Sequence, residues 1–216
     1  MTEQPEIPEP RQLGQIVPFE TGVRELFAAI DLLVDNDLVT PAITLMYATI
    51  DTMAWLALPD DKETVRKTDF IEWVQRHGLD EAVSPCTPEE LYGARCGFVH
   101  SYSPESTLSR AGAVREIVYM IGYGRRRMLQ DEIKARGKET EAVALHLADL
   151  REGLASAIEV FRSTIYSDDT LWRRVARRSS NFLHSKIPDE YIRHFEAVAS
   201  WITPRTENSS PGDPAA

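Results

Sequence analysis

Apolar residues recur at three- and four-residue steps through most of this chain, and that helical period constrains the fold more than any other feature. A first amphipathic helix is predicted over residues 19–34, ending at the polar turn that follows. A second is predicted over residues 40–58, with Thr40 as its N-cap and Pro41 at its first position. Because this second segment is apolar on most sides, with Asp51 as its one charged residue, we expect it to lie centrally.

Five further helices are predicted from their apolar period or their end signals. They cover residues 63–77, 87–101, 143–165, 171–182 and 189–201. The clearest start signal is a capping box, with Thr87 as N-cap and Glu90 three residues later. Residues 113–122 fit either a short buried strand or a helix. The sequence therefore predicts a mainly α fold, a helical bundle with a short strand element.

The ends of the chain differ in composition from the part between them. Residues 1–17 and 204–216 are rich in proline and polar residues, so both are expected to be disordered tails. Between them we expect a helical domain over residues 18–136. A helical C-terminal extension over residues 137–203 is expected to pack on that domain.

The bulk composition excludes some classes of function. No apolar run is long enough to span a bilayer, and the acidic N-terminus does not resemble a signal peptide, so no membrane partner is expected. Only two cysteines are present, Cys86 and Cys96, which favours a cytoplasmic protein without a disulfide framework. The formal net charge of −10 argues against indiscriminate coating of nucleic acid.

Arginines nevertheless cluster at two places that could follow an RNA backbone. These are Arg125, Arg126 and Arg127 in one cluster, and Arg173, Arg174, Arg177 and Arg178 in the other, with Trp172 available to stack. The alternative is a solvated helix face whose arginines pair with acidic neighbours such as Asp168 and Asp169.

The segment from Arg95 to His100 carries most of the functional information. An arginine and a histidine five residues apart near the end of a helix can turn toward one small volume. Histidine can transfer a proton at neutral pH, and the arginine fork fits a phosphate and its transition state. With a ribose 2′-hydroxyl as nucleophile, such a pair needs neither a metal nor another cofactor. The spacing alone arises roughly once by chance in such a chain, so the capped helix and the turn after it matter more.

In that context, the stretch of residues 91–101, Leu-Tyr-Gly-Ala-Arg-Cys-Gly-Phe-Val-His-Ser, resembles the Arg-x4–6-His motif of the HEPN superfamily. That superfamily consists of small all-helical bundles, usually dimers, and many members are metal-independent ribonucleases, toxins or defence effectors. The resemblance covers about residues 19–110. It implies that Arg95 orients a scissile phosphate, that His100 transfers a proton, and that two copies of the motif face each other in a homodimer. It also implies an RNA substrate and an antitoxin or another partner protein.

Cys96 stands where the HEPN motif usually has a polar residue, often asparagine, and this departure keeps a second interpretation open. In that interpretation the bundle is a non-catalytic module for interaction or dimerisation. A third interpretation, a thiol-dependent enzyme, requires Cys96 to be exposed and activated by His100. For the nuclease, Asp51 and Tyr102 are predicted to support the catalytic pair, Asp51 by pairing with one of its members.

Overall fold

The structure is a computed structural model that describes residues 11–180. The predicted helix over residues 189–201 and both ends of the chain, residues 1–10 and 204–216, lie outside the described residues. The fold is mainly α with a strand element, as the sequence predicts, and the strands form one small parallel sheet.

The elements follow one another with short connections. A 3₁₀ helix (Leu13–Ile16) precedes α1 (Val17–Asp35), α2 (Val39–Ala57), α3 (Lys67–Arg76), α4 (Leu79–Ala82), α5 (Pro88–Ser101) and α6 (Thr107–Arg110). Next come β1 (Glu116–Met120), α7 (Arg126–Ala135), β2 (Ala142–His146), α8 (Leu147–Ser167) and α9 (Asp169–Ser179). Among residues 11–180, none of these helices combines the length and the apolarity needed to cross a membrane.

Helix α2 lies at the centre of the bundle, as its apolar surface predicts. It contacts α1, α3, α5, α8 and α9. Met46, Tyr47, Ile50 and Met53 on α2 are fully buried in the core. Burial of a large apolar side chain contributes about 1.5–3 kcal/mol, so α2 fixes the positions of the helices around it, including α5.

The sheet is a β–α–β unit, which settles the ambiguity over residues 113–122. Strand β1 pairs in parallel with β2, with Ile117 opposite Val143, and α7 forms the crossover between them. Ile117 and Val143 are both buried, which matches the apolar run that each strand carries. Gly137, at the predicted domain boundary, lies inside this crossover.

Two predicted helix starts are wrong, each for a local reason. Thr40 is not an N-cap, because Ala42 already donates its backbone N–H to the carbonyl of Leu38, one turn earlier. The third helix begins at Lys67 rather than at residue 63, because the Asp69 carboxylate accepts the N–H of Arg66 at 2.9 Å.

The apolar stripe predicted as one helix over residues 143–165 contains a strand at its start. Residues Ala142–His146 form β2, and α8 begins only at Leu147. The backbone N–H of Ala148 donates to Nδ1 of His146 at 3.1 Å and so caps the new helix. Residues 142–146 form a strand because they pair with β1, although their apolar period fits a helix. The sequence around β2 alone does not reveal this pairing, because β1 lies more than twenty residues earlier.

The predicted N-terminal tail also differs over its last residues. Residues 11–17 include the 3₁₀ helix, and Ile16 is buried in the core. The Arg11 side chain donates to the carbonyl of Tyr166 at 2.6 Å and pairs with Asp169. These contacts hold the start of α1 against α8 and α9.

Candidate functional site

Helix α5 carries the predicted catalytic pair, and both of its ends are fixed. At its start the predicted capping box is present: Glu90 N–H donates to Thr87 Oγ1 at 3.2 Å, and Thr87 N–H donates to Glu90 Oε2 at 2.9 Å. Arg115 also donates to Glu90, from Nε at 2.5 Å. The orientation of α5 is therefore set by polar contacts at its N-terminus as well as by its buried side.

The chain turns back sharply over the end of α5. Tyr102 caps the helix with φ 54°, and its N–H donates to the carbonyl of Phe98 at 3.2 Å. A Cβ atom on Gly97 would lie 2.4 Å from the backbone oxygen of Ser103, so only glycine permits this close approach. The turn ends the helix one residue beyond His100 and leaves the imidazole exposed.

Arg95 and Asp51 form an ion pair between α5 and α2. The Arg95 Nε donates to Asp51 Oδ2 at 2.6 Å, and Nη2 contacts the same oxygen. The two side chains are only 18% and 19% exposed. Burial by itself would lower the pKa of the Arg95 guanidinium, but the hydrogen bond and charge of Asp51 outweigh it and raise that pKa. Arg95 is thus held as a permanent cation beside α2.

The same guanidinium reaches His100. Arg95 Nη1 lies 3.1 Å from His100 Nε2. Because arginine has no acceptor, Nε2 must accept this hydrogen bond, so the neutral imidazole carries its proton on Nδ1. Asp51, Arg95 and His100 therefore form a continuous chain of contacts that ends at an exposed imidazole.

Two further side chains flank Arg95 on the same helix. The guanidinium carbon of Arg95 lies 5.9 Å from the ring centroid of Tyr92, within cation–π range. Burial raises the pKa of the Tyr92 phenol, and Cys96 beside it adds to the rise. Cys96 itself is half-buried, whereas Cys86 is buried and its pKa is raised by burial to about 12.

Beside the ion pair lies an open cavity of about 400 Å³. Its walls come from α2, the loop after α2, and α5. They consist of Asp51, Thr52, Trp55, Thr64, Val65 and Arg95. The sequence analysis missed Thr52, Trp55, Thr64 and Val65. Trp55 could have been found, because it lies four residues after Asp51 and so shares its helix face.

Tyr102, predicted to support the pair, occupies the cap position after α5. Its side chain is 57% exposed. Within residues 11–180, no side-chain hydrogen bond joins it to Arg95 or His100. The described contacts thus bring together three of the four predicted residues.

The arginines of the cluster on α9 differ in their burial and in their partners. Arg178 is buried and donates to four carbonyls in the last turn of α2 and the loop after it, among them Leu58 at 2.8 Å and Pro59 at 3.0 Å. Arg174 and Arg177 both pair with Asp60, rather than with Asp168 or Asp169. Arg173 is exposed.

The other predicted cluster lies before and in the first turn of α7. Arg126 donates to the carbonyl of Ser84 and lies 3.7 Å from Asp149. Arg127 lies 3.7 Å from Asp131, and Arg125 is exposed. These contacts leave Arg125 and Arg173 as the predicted RNA-binding arginines that are open to solvent and have no described ion pair.

A larger cavity, of about 530 Å³, lies where the carboxyl ends of the two strands meet α1 and α8. Its lining includes His146, whose Nε2 lies 3.1 Å from the carbonyl of Gly122, and the paired side chains of Asp31 and Arg151. None of the predicted catalytic residues lines it. Comparison with protein-family profiles, with curated proteins and with solved structures finds no match for this chain in any of the three.

Proposed function

We propose that this protein is a metal-independent endoribonuclease whose catalytic groups are Arg95 and His100. The observation that carries the proposal is the chain of contacts from Asp51 through Arg95 to Nε2 of the exposed His100, which places a cation beside an imidazole. A cation beside a proton acceptor is the minimum that cleavage through a ribose 2′-hydroxyl requires.

Each group has a definite task in the proposed reaction. Arg95 binds a non-bridging oxygen of the scissile phosphate and stabilises the charge that grows there. When Arg95 Nη1 turns from the imidazole to the phosphate, it frees the lone pair of His100 Nε2, which then removes the proton of the 2′-hydroxyl as the 2′-oxygen attacks phosphorus. The new P–O2′ bond forms while the P–O5′ bond breaks, which yields a 2′,3′-cyclic phosphate. The leaving 5′-oxygen must receive a proton.

A homodimer supplies that second proton transfer. If two copies place their α5 ends face to face, the second copy's His100, in its protonated form, can donate to the 5′-oxygen. Histidine suits both roles because its ordinary pKa lies near neutrality. The exposed position of His100 is compatible with such an arrangement. Light scattering on the purified full chain should therefore give twice the monomer mass.

The first test is RNA cleavage in EDTA by wild type, His100→Ala and Arg95→Ala. We expect both variants to lose at least about 100-fold in rate, as expected for removal of a proton-transfer or charge-stabilising group. Val99→Ala is the matched control for His100, since Val99 is its exposed neighbour. Arg162→Ala is the control for Arg95, since it removes an arginine–carboxylate pair, with Glu20, that joins α8 to α1 and lies outside α5.

One observation favours the second candidate, a non-catalytic interaction module. Arg95 gives both Nε and Nη2 to Asp51, so its guanidinium also ties α5 to α2. In that role the residue stabilises the bundle and needs no substrate. A folded, dimeric wild type that cleaves none of a varied set of RNAs would favour this candidate over the nuclease.

A further inference from the structure

The cavity beside the ion pair adjoins the proposed catalytic chain. Its wall includes Asp51 and Arg95, and Arg95 in turn contacts His100. A phosphate bound by Arg95 would therefore lie close to both the imidazole and the cavity. At about 400 Å³, the cavity is within the range of small-molecule sites, which runs from roughly 300 to 1,000 Å³.

The polar groups of the cavity differ in what they can offer a ligand. Thr52 Oγ1 donates its only proton to the carbonyl of Ala48 at 2.8 Å, so it faces a ligand as an acceptor alone. The indole N–H of Trp55 is likewise committed, to the carbonyl of Glu63 at 3.1 Å. Thr64 is exposed, and its hydroxyl can rotate to donate or to accept. A ligand that forms a hydrogen bond with Thr52 must therefore supply the donor.

We propose that this cavity binds the base of the nucleotide whose phosphate contacts Arg95, and that it selects bases with an exocyclic amino group. This inference rests on the ribonuclease function proposed above. The amino group of cytosine donates to Thr52 Oγ1, whereas uracil has a carbonyl oxygen at the same position, which would face another acceptor there. Cytosine, adenine and guanine can donate from an exocyclic amino group, whereas uracil can donate only from its ring N3–H, one position away from the carbonyl that replaces the cytosine amino group.

The sharpest test compares two ligands that differ at one group. Cytidine 3′-monophosphate and uridine 3′-monophosphate have nearly the same shape and differ in the amino or carbonyl group at C4 and the proton on N3. Calorimetric titration of the purified full chain should show the cytidine compound binding about tenfold more tightly, the value of one hydrogen bond gained instead of lost. Inorganic phosphate, which has no base, should bind more weakly than either.

A matched pair of variants assigns the selectivity to Thr52. Thr52→Val keeps the shape of the side chain but removes its oxygen, so the two nucleotides should bind equally. Thr44→Val removes the equivalent bond, from Thr44 Oγ1 to the carbonyl of Thr40, two turns away on the same helix and outside the cavity. This control should retain the wild-type preference for the cytidine compound.

The outcomes separate this inference from the function on which it rests. Equal affinity of wild type for both nucleotides, or a preference that survives in Thr52→Val, would overturn the base selectivity. Nucleotides that bind no better than inorganic phosphate would overturn the base site itself. Because binding needs no turnover, selective binding without RNA cleavage would retain the site while the nuclease proposal fails. Cleavage with no discrimination against uridine would do the reverse.

Discussion

Arg95 donates from Nη1 to Nε2 of His100 across 3.1 Å. The two residues are five positions apart, and α5 ends one residue after His100. The contact exists because His100 lies in the last turn of α5, where no following turn covers it. Asp51 fixes the other side of the same guanidinium. One arginine thus connects a half-buried carboxylate to an exposed imidazole.

The Asp51–Arg95 pair should contribute measurably to stability. Oδ1 of Asp51 is buried and has no hydrogen-bond partner within residues 11–180, so the carboxylate depends on Arg95. We expect Arg95→Ala to destabilise the protein more than Asp51→Ala does, because Arg95→Ala leaves the partly buried Asp51 carboxylate without its partner. A double-mutant cycle by urea unfolding should give a coupling energy of about 1–2 kcal/mol, after allowance for partial exposure of the pair.

The exposed pair of Glu72 and Arg76 provides the control for that cycle. Both side chains are 62% exposed and lie four residues apart on α3. Their coupling should be at most about 0.5 kcal/mol. Equal coupling energies for the two pairs would contradict the view that Arg95 and Asp51 form a special contact between α2 and α5.

The sequence predicted the helices well wherever apolar period and end signals agreed. The capping box at Thr87 and the end of α5 near Ser101 are confirmed, because both depend on contacts within a few residues. The pairing of Asp51 with Arg95 was expected only as one of two alternatives. A carboxylate in an apolar helix needs a partner, but its identity depends on how α2 and α5 pack.

What the sequence could not predict depends on contacts between distant segments. The helical period predicts one helix over residues 143–165 and misses strand β2, because the pairing of Val143 with Ile117 leaves no local signal. The role of Arg178 was also missed, since its carbonyl partners lie more than a hundred residues away. The cavity wall combines α2, a loop and α5, so it appears only once the chain has folded.

Gly97→Ala should destabilise the protein strongly. The added Cβ would lie 2.4 Å from the backbone oxygen of Ser103 and 3.0 Å from that of Glu105, and backbone atoms cannot move aside cheaply. We expect a loss of about 2–3 kcal/mol in the free energy of unfolding, measured by urea denaturation. Gly14→Ala is the control, since nothing lies within 4 Å of the added atom. A stable Gly97→Ala protein would show that the turn after α5 is not closely packed.

Arg178 and Arg173, on one helix, should differ sharply when replaced by alanine. Arg178 is 7% exposed, and its removal leaves carbonyls in the last turn of α2 and the loop after it without donors. Arg178→Ala should cost about 3 kcal/mol, whereas Arg173→Ala should change stability by less than about 0.5 kcal/mol. Thermal unfolding of both variants measures this. Similar melting temperatures would argue against a structural role for Arg178.

Stability should fall as the pH is lowered through the range in which His77 titrates. Its ring is buried against Trp73 and Phe161, and burial lowers its pKa from the ordinary 6.5. The unfolded chain therefore binds the proton more readily than the folded chain. The neutral His77 ring therefore contributes fully to the free energy of unfolding above pH 6.5, and this contribution is lost as the pH falls from 6.5 through the lower pKa of the folded state.

Urea unfolding between pH 8 and pH 5 measures that dependence, and His77→Phe provides the comparison. The phenyl ring keeps the aromatic contacts but cannot bind a proton, so the variant should lose less stability on acidification than wild type. Identical slopes in the two proteins would mean that His77 does not titrate differently on folding.

The central claim is that Arg95 and His100 cleave RNA through its own 2′-hydroxyl, and the chemistry of the product ends tests it most directly. Wild type should be incubated with RNA in EDTA, and the fragments analysed by mass spectrometry. We expect 2′,3′-cyclic phosphate on one fragment and a 5′-hydroxyl on the other, with neither formed by His100→Ala or Arg95→Ala. Fragments with 3′-hydroxyl and 5′-phosphate ends, or cleavage that persists in both variants, would contradict it.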